Sequence, residues 1–162
     1  MRLFVVAGET SGDTHAAALL ADLRTLRPDL RITGLGGPKL HALCPEVEDW
    51  THQAAVVGLW DVLRRYGWFR RKFHQTLERI AREKPDAVLF VDYPGFNLRL
   101  AKALQPHRSQ LKLLYYISPQ VWAWNRARLP RMACWLDRMF CIFPFEKELY
   151  EKSGLHTDFV GH

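Results

Sequence analysis

The segment "VVAGETSGD" (residues 5–13) decides the fold, because an apolar run that begins at Leu3 ends there in a loop with two glycines. An uninterrupted apolar run bounded by glycine is typical of a buried parallel strand. Helical spacing follows in residues 16–26, at Leu19, Leu20, Leu23 and Leu26. The segment therefore predicts a strand, a glycine-containing loop over residues 8–13 and a helix.

The alternation of strands and helices continues along the whole chain. Further apolar runs predict strands at residues 30–34, 87–91, 111–117, 139–143 and 157–160. Helical spacing predicts helices at residues 39–43, 54–83, 96–104, 124–136 and 145–152, with an interruption near Gly67. We therefore predict an α/β fold: a doubly wound, mostly parallel sheet with helices on both faces, forming one domain over residues 1–162.

Composition narrows the class of protein. Hydrophobic residues make up 48% and charged residues 25%, which excludes wholesale disorder. The net charge of +6 favours an anionic partner: a nucleic acid, an acidic membrane surface or a phosphorylated ligand. The chain has no membrane-spanning apolar stretch and no secretory signal, so we expect a cytosolic protein. The cysteines and histidines lack the spacing of metal ligands, and we predict no metal and no cofactor.

The loops after the strands are the expected functional positions, because ligands of open α/β sheets bind beyond the carboxyl ends of the strands. The first such loop, "GETSGD", could hold an anion or a sugar hydroxyl against the start of the following helix. It matches neither the dinucleotide-binding glycine pattern nor a P-loop. The alternative is that its glycines only permit a tight turn, with Ser11 or Asp13 capping the helix.

Asp92 is the leading catalytic candidate. It stands in "VDYPGFN" (residues 91–97), directly after the apolar run that predicts a strand. A carboxylate there can act as a general base toward a hydroxyl in the crevice, and partial burial would raise its pKa. The alternative is an Asp that closes a turn before Pro94.

Aromatic residues follow the strand in "YYISPQVWAWNRAR" (residues 115–128). Trp122 and Trp124 could line a sugar or acyl pocket, and Arg126 or Arg128 could meet a phosphate. Alternatively, the aromatic residues pack a helix on the sheet. In "FPFEKELY", Glu146 suits the start of a helix and needs no catalytic role.

A basic amphipathic segment occupies residues 56–73, "VVGLWDVLRRYGWFRRKF". Its apolar and aromatic residues follow helical spacing, and five basic residues lie within nine positions. We predict that this segment contacts an anionic membrane surface through Val57, Leu59, Trp60, Leu63, Arg64, Arg65, Tyr66, Trp68 and Phe69. The alternative is a helix packed on the core with a solvated basic face.

The motifs "AGETSGD", "VDYPGFN", "YYISPQVWAW", "FPFEKELY" and "FVGH" together resemble the N-terminal half of the lipid-A-disaccharide synthase family. The resemblance extends over nearly the whole chain in the same order. It implies one Rossmann-like half of a metal-independent GT-B glycosyltransferase. The implied reaction joins UDP-2,3-diacylglucosamine to 2,3-diacylglucosamine 1-phosphate and releases UDP. The implied location is the cytoplasmic face of the inner membrane, as a peripheral protein that binds no nucleic acid and is compatible with a homodimer.

The resemblance also implies roles for individual residues. Asp92 corresponds to the base that deprotonates the acceptor 6-hydroxyl, and Gly95 stands where some relatives carry a second carboxylate. The implied substrate-binding residues are Gly8, Glu9, Ser11, Gly12, Asp13, Asn97, Ser118, Gln120, Trp122, Trp124 and Asn125. The family's C-terminal nucleotide-sugar domain lies outside this chain, so we expect the chain alone to fold but not to catalyse. A non-catalytic α/β domain that binds anionic lipid or nucleic acid is the alternative function.

Overall fold

The computed structural model of the chain describes residues 1–54 and 59–161, with side chains for all of these except residues 59–65, 122 and 124. Within these ranges seven strands form one sheet: β1 Arg2–Ala7, β2 Arg31–Gly36, β3 Val47–Asp49, β4 Ala87–Val91, β5 Lys112–Tyr116, β6 Arg138–Cys141 and β7 Thr157–Phe159. Every neighbouring pair is parallel, in the order β3-β2-β1-β4-β5-β6-β7. This confirms the predicted doubly wound α/β sheet.

The helices connect successive strands. Those of the described ranges are α1 Thr10–Leu26, α2 Pro38–Leu43, α3 Thr51–Ala54, α4 Leu59–Glu83, α5 Pro94–Ala103, α6 Val121–Trp124, α7 Leu129–Trp135 and α8 Pro144–Lys152. Short 3₁₀ turns at Gln105–His107 and Arg126–Arg128 precede β5 and α7. Most predicted elements are therefore present, with boundaries displaced by a few residues.

Two cores lie on opposite faces of the sheet, because successive side chains of a strand point to opposite sides. Leu3, Val5 and Ala7 of β1 pack against α1 and α2. The alternate residues Phe4 and Val6 belong to the second core, which is formed with α4, α5, α7 and α8. The helices therefore cover both faces, as expected for buried parallel strands with continuous apolar sequence.

Three local expectations were wrong, and one strand was not predicted. The helix predicted over residues 124–136 is divided, because residues 126–128 form a 3₁₀ turn and α7 begins at Leu129. Helix α1 begins at Thr10, within the predicted loop, because Asp13 N–H already donates to the Glu9 carbonyl at 2.9 Å. Helix α4 runs through Gly67 without interruption. A single glycine costs only about 1 kcal/mol in a helix, and the neighbouring Trp68 and Phe69 pack against the core. Strand β3 was not predicted, since it is a three-residue edge strand with two acidic residues.

Candidate functional site

The site is placed by the topology of the sheet. Strand β1 lies between β2 and β4, and the helices that follow β1 and β4 pack on opposite faces. This is the point at which the direction of strand order reverses, and an open α/β sheet leaves a crevice there at the carboxyl ends of the strands. The residues that border this crevice are those directly after β1 and β4.

The junction between β1 and α1 consists of Gly8 and Glu9. Glu9 is the N-cap residue of α1, is exposed, and makes no side-chain capping hydrogen bond. Gly8 lies against the ring of Tyr93, so that a Cβ atom at this position would overlap the ring. The two junctions after β1 and β4 are therefore in direct contact, and the glycine permits that close approach.

Asp13, which follows in the same motif, is turned inward. Its carboxylate is 1% exposed and accepts the N–H groups of Gly37 at 2.7 Å, Lys39 at 3.0 Å and Leu40 at 3.1 Å. It thus caps the N-terminus of α2, whose first N–H groups have no partner within the helix. Gly12 is buried beside the Val91 carbonyl, whereas Ser11 is exposed.

Asp92 stands in a backbone conformation that side chains rarely adopt. Its φ angle is 46° and that of Tyr93 is 50°, both in the left-handed region. This conformation costs roughly 1–2 kcal/mol for each non-glycine residue. The Asp92 side chain is half-buried. A strained carboxylate at the switch point of the sheet has the position expected of a functional group.

Hydrogen bonds hold the backbone of Asp92 in this conformation. Its N–H donates to the Tyr116 carbonyl at 3.0 Å. Its carbonyl accepts the Tyr115 hydroxyl at 2.6 Å and the Asn97 side-chain amide at 2.7 Å. Tyr115 and Asn97 are completely buried. The backbone polar groups of Asp92 are therefore satisfied by the protein.

The carboxylates of the two junctions share an electrostatic environment. Burial raises the pKa of Asp92, although the Tyr93 backbone N–H and the nearby His15 partly offset this effect. Although the residue as a whole is exposed, partial burial of its carboxyl group, and then the charge of Asp92, raise the pKa of Glu9. Raised values bring a carboxylate closer to the range in which it accepts a proton efficiently near neutral pH. The arrangement can thus accept a proton from a hydroxyl bound in the crevice.

The junction after β5 is built differently. Ser118 is buried, and its hydroxyl donates to Glu146 Oε2 at 2.5 Å. The same oxygen accepts the Phe143 N–H at 3.3 Å, and the Tyr150 hydroxyl donates to the Pro119 carbonyl at 2.7 Å. Glu146, with no exposed surface, therefore joins the junctions after β5 and β6. Sequence reasoning gave Glu146 only a helix-terminal role and missed this contact.

The remaining rim residues are less constrained. Gln120 is exposed and Asn125 half-buried. The side chains of Trp122 and Trp124 lie outside the described residues. The structure thus brings Glu9 and Asp92 together after neighbouring strands and buries Asp13, Asn97 and Ser118 in the protein.

The predicted membrane segment is described only in part. Val57 and the side chains of Leu59, Trp60, Leu63, Arg64 and Arg65 lie outside the described residues. Tyr66 is 59% exposed, whereas Trp68 and Phe69 pack against the core. Trp68 stacks on the buried Trp50, with ring centroids 6.1 Å apart. Part of the aromatic surface of helix α4 therefore packs against the core of the protein.

Basic residues of α4 also divide into two groups. Arg70 and Arg71 are exposed, whereas Lys72 is buried and forms an ion pair with Glu48. In the described part of the chain, no helix is long and apolar enough to cross a membrane. No group of three or more His, Cys, Asp or Glu that could hold a metal ion occurs among the described residues.

Several residues of the site were missed at the level of sequence. Tyr115 was one, although its position within β5 directs it to a buried face. His15, near Asp92, stands one turn into α1, and Tyr93 separates Asp92 from α5. Strand alternation could have placed Tyr115, but no local pattern indicates that its hydroxyl reaches the Asp92 carbonyl.

Nearly the whole chain matches a known protein family. Residues 3–162 match the family described as Lipid-A-disaccharide synthetase. The chain belongs to the lipid-A-disaccharide synthetase family. This confirms the resemblance recognised in the sequence motifs, and the α/β sheet is consistent with the Rossmann-like half of a GT-B enzyme expected for that family.

Individual members of the lipid-A-disaccharide synthetase family are closely similar to the chain. "Lipid-A-disaccharide synthase 1" of Legionella pneumophila (strain Lens) is 44% identical over 161 residues, which is 99% of this chain and 42% of the relative. "Lipid-A-disaccharide synthase" of Geobacter metallireducens is 42% identical, covering 99% of this chain and 41% of the relative. The enzyme of the same name from Coxiella burnetii is 41% identical, with 99% and 42% coverage. The chain thus spans about two-fifths of the length of the curated relatives it matches.

Proposed function

We propose that the chain is the acceptor-side half of an inverting glycosyltransferase of lipid A biosynthesis. The complete enzyme joins UDP-2,3-diacylglucosamine to 2,3-diacylglucosamine 1-phosphate and releases UDP. Family membership over residues 3–162 supports the reaction class. The observation that carries the residue assignment is Asp92, a half-buried carboxylate with a raised pKa at the switch point of the sheet.

The proposed chemistry requires one proton acceptor. The Asp92 carboxylate takes the proton of the acceptor 6-hydroxyl while the hydroxyl oxygen forms a bond to the anomeric carbon of the donor. The bond from that carbon to the diphosphate breaks, and its electron pair leaves with UDP. Because the oxygen attacks from the side opposite UDP, the configuration inverts and a β-1,6 linkage results. No metal is needed for these steps, in agreement with the metal-independent reaction that the resemblance implies.

Glu9 has a supporting part in this proposal. It stands after β1, beside Asp92 on the neighbouring strand. We place it, with Ser11, at the acceptor side of the crevice, where a carboxylate can accept hydrogen bonds from sugar hydroxyls. Gln120 and Asn125 complete the same rim after β5. The inward residues Gly12, Asp13 and Ser118 shape the rim from beneath.

The test compares disaccharide formation by three polypeptides extended to the length of the relatives. The unsubstituted polypeptide is expected to be active, and Asp92→Asn to lose about 10²–10⁴-fold of the rate, because a general base contributes that much. Asp22→Asn, an exposed carboxylate on α1, is the matched control and should keep full activity. An active Asp92→Asn enzyme would refute the role of Asp92. The 162-residue chain alone is expected to be folded and inactive.

We further propose that the complete enzyme binds peripherally to the cytoplasmic face of the inner membrane through α4. Exposed Tyr66, Arg70 and Arg71 support this location. Arg70→Glu with Arg71→Glu should weaken co-sedimentation with phosphatidylglycerol vesicles at least about tenfold, since each basic residue near an acidic surface contributes about 1 kcal/mol. Arg82→Glu with Lys84→Glu, also exposed, is the charge-matched control. Equal loss in both pairs, or equal binding to duplex DNA, would instead favour a general anion-binding domain.

A further inference from the structure

The carbonyl of Asp92 is held by two buried side chains from different elements. The Tyr115 hydroxyl of β5 donates to it at 2.6 Å, and the Asn97 amide of α5 donates at 2.7 Å. A carbonyl oxygen has two lone pairs, so both acceptor positions are used. Together with the Asp92 N–H bond to Tyr116, these contacts fix both polar groups of the peptide backbone at this residue.

The side-chain amide of Asn97 contacts further backbone carbonyls besides that of Asp92. Its amide nitrogen also lies 3.3 Å from the Val6 carbonyl and 3.4 Å from the Val91 carbonyl, at the ends of β1 and β4. Its side-chain oxygen is buried and has no hydrogen-bond partner in the described structure. Leaving a buried acceptor unpaired is unfavourable. The Asn97 amide keeps this orientation because its nitrogen then reaches three backbone carbonyl oxygens.

We propose that Tyr115 and Asn97 are positioning residues that hold the Asp92 carboxylate in the crevice by clamping its backbone in the left-handed conformation. The inference rests on the proposed function of Asp92. Neither side chain has exposed surface, so neither touches substrate directly. The clamp differs from the rim contact that sequence resemblance implies for Asn97.

The charged groups around Asp92 determine how its pKa would change if the clamp were lost. Glu9 after β1 and His15 of α1 lie near the carboxylate, and the Tyr93 N–H donates a hydrogen bond to it. Burial, followed by the charge of Asp92, raises the pKa of Tyr115 well above its usual value, so its hydroxyl remains a donor at neutral pH. When the clamp is loosened, the Asp92 carboxylate becomes better hydrated and its pKa falls.

The first experiment titrates the side-chain carboxyl carbon of Asp92 by NMR in the 162-residue chain. The signal is assigned by its absence in Asp92→Asn. Tyr115→Phe, which keeps the ring and removes the hydroxyl, should lower the pKa of Asp92. Thr157→Val is the matched control, because it removes another buried hydroxyl that donates to a backbone carbonyl, that of Leu155. An unchanged Asp92 titration in folded Tyr115→Phe would overturn the proposal.

The second experiment measures disaccharide formation in the extended polypeptide. Tyr115→Phe should lower kcat about tenfold with little change in KM, and should move the acid limb of the pH profile to lower pH. An acid limb that stays in place would indicate a merely structural role for Tyr115 and would overturn the proposal. If Tyr115→Phe does not fold, Asn97→Ser is measured with the same criteria. If Asp92→Asn remains active, the proposed function fails, and the NMR titration still decides whether the clamp exists.

Discussion

Two regions, both at the carboxyl ends of the strands, use their carboxylates in opposite ways. We define the β1–β4 edge by Glu9 and Asp92, and the β5–β6 edge by Ser118 and Glu146. At the β1–β4 edge the carboxylates lie near each other and carry raised pKa values. At the β5–β6 edge Glu146 is completely buried and accepts the hydroxyl of Ser118. A polar residue in the loop after a strand can thus either be available to a ligand or build the loop that presents one.

The largest expected effect concerns the β5–β6 edge. Glu146→Ala should lower the free energy of unfolding by about 3–4 kcal/mol, because it leaves the Ser118 hydroxyl and the Phe143 N–H without their charged acceptor. Denaturation in urea measures the change. Glu148→Ala, two residues further along α8, is the control: Glu148 is exposed and paired with the exposed Lys152, and no measurable change is expected. Equal losses would remove the distinction between the two edges.

Asp13 tests whether the inward carboxylate beside the β1–β4 edge resembles Glu146. Asp13→Ala should cost about 2–3 kcal/mol of unfolding free energy, since three N–H groups at the start of α2 lose their acceptor. Asp22→Ala, at an exposed position of α1, the helix that also carries Asp13, should leave stability unchanged. A stable Asp13→Ala protein would mean that water replaces the carboxylate at these amides.

Gly8 tests the close contact within the β1–β4 edge. Gly8→Ala should destabilise the chain by about 1–3 kcal/mol, because the added methyl group displaces the Tyr93 ring. Gly95→Ala is the matched control: among the described residues, no atom apart from the chain neighbours and the backbone of α5 lies within 4 Å of a Cβ at that position, and alanine favours the helix. A comparison of the two thermal unfolding midpoints decides the matter. A harmless Gly8→Ala substitution would show that the two junctions separate readily.

The smallest effect is electrostatic. Asp92→Asn should lower the pKa of Glu9, because a neighbouring negative charge that opposes ionisation is removed. A carboxyl carbon titration of Glu9 measures the shift. Because the folded-state pKa of Glu9 is raised above its unfolded value, its contribution to stability decreases as pH rises through that interval, and Asp92→Asn should weaken this dependence. An unchanged Glu9 titration would mean that the two carboxylates act independently.

The sequence was sufficient for six of the seven described strands, because the central strands are continuous apolar runs that must be buried on both faces. It also predicted the position of Asp92 directly after a strand, since the run at Ala87–Val91 ends before it. It could not separate inward from outward polar residues. Asp13 finds its partners 24 to 27 positions away, and Ser118 finds Glu146 28 positions away. Such distances leave no local spacing that a sequence pattern could contain.

The remaining misses have the same origin. The first turn of α1 forms within a glycine-containing motif because Gly12 fits beside the Val91 carbonyl on the neighbouring strand. The uninterrupted course of α4 through Gly67 depends on contacts such as that of Trp68 with Trp50. Both outcomes are decided by tertiary packing, which outweighs a local propensity of about 1 kcal/mol.

The cap that Asp13 supplies to α2 makes the formation of α2 depend on that of α1. Helix α2 has six residues and is too short to persist alone in water. Its initial amides are satisfied by a side chain from α1, so α2 becomes stable only once α1 has docked on the sheet. Hydrogen exchange at Gly37, Lys39 and Leu40 should therefore occur together with the opening of α1, as one cooperative unit. A nascent chain that has emerged from the ribosome only as far as α1 already carries the group that later starts the next helix.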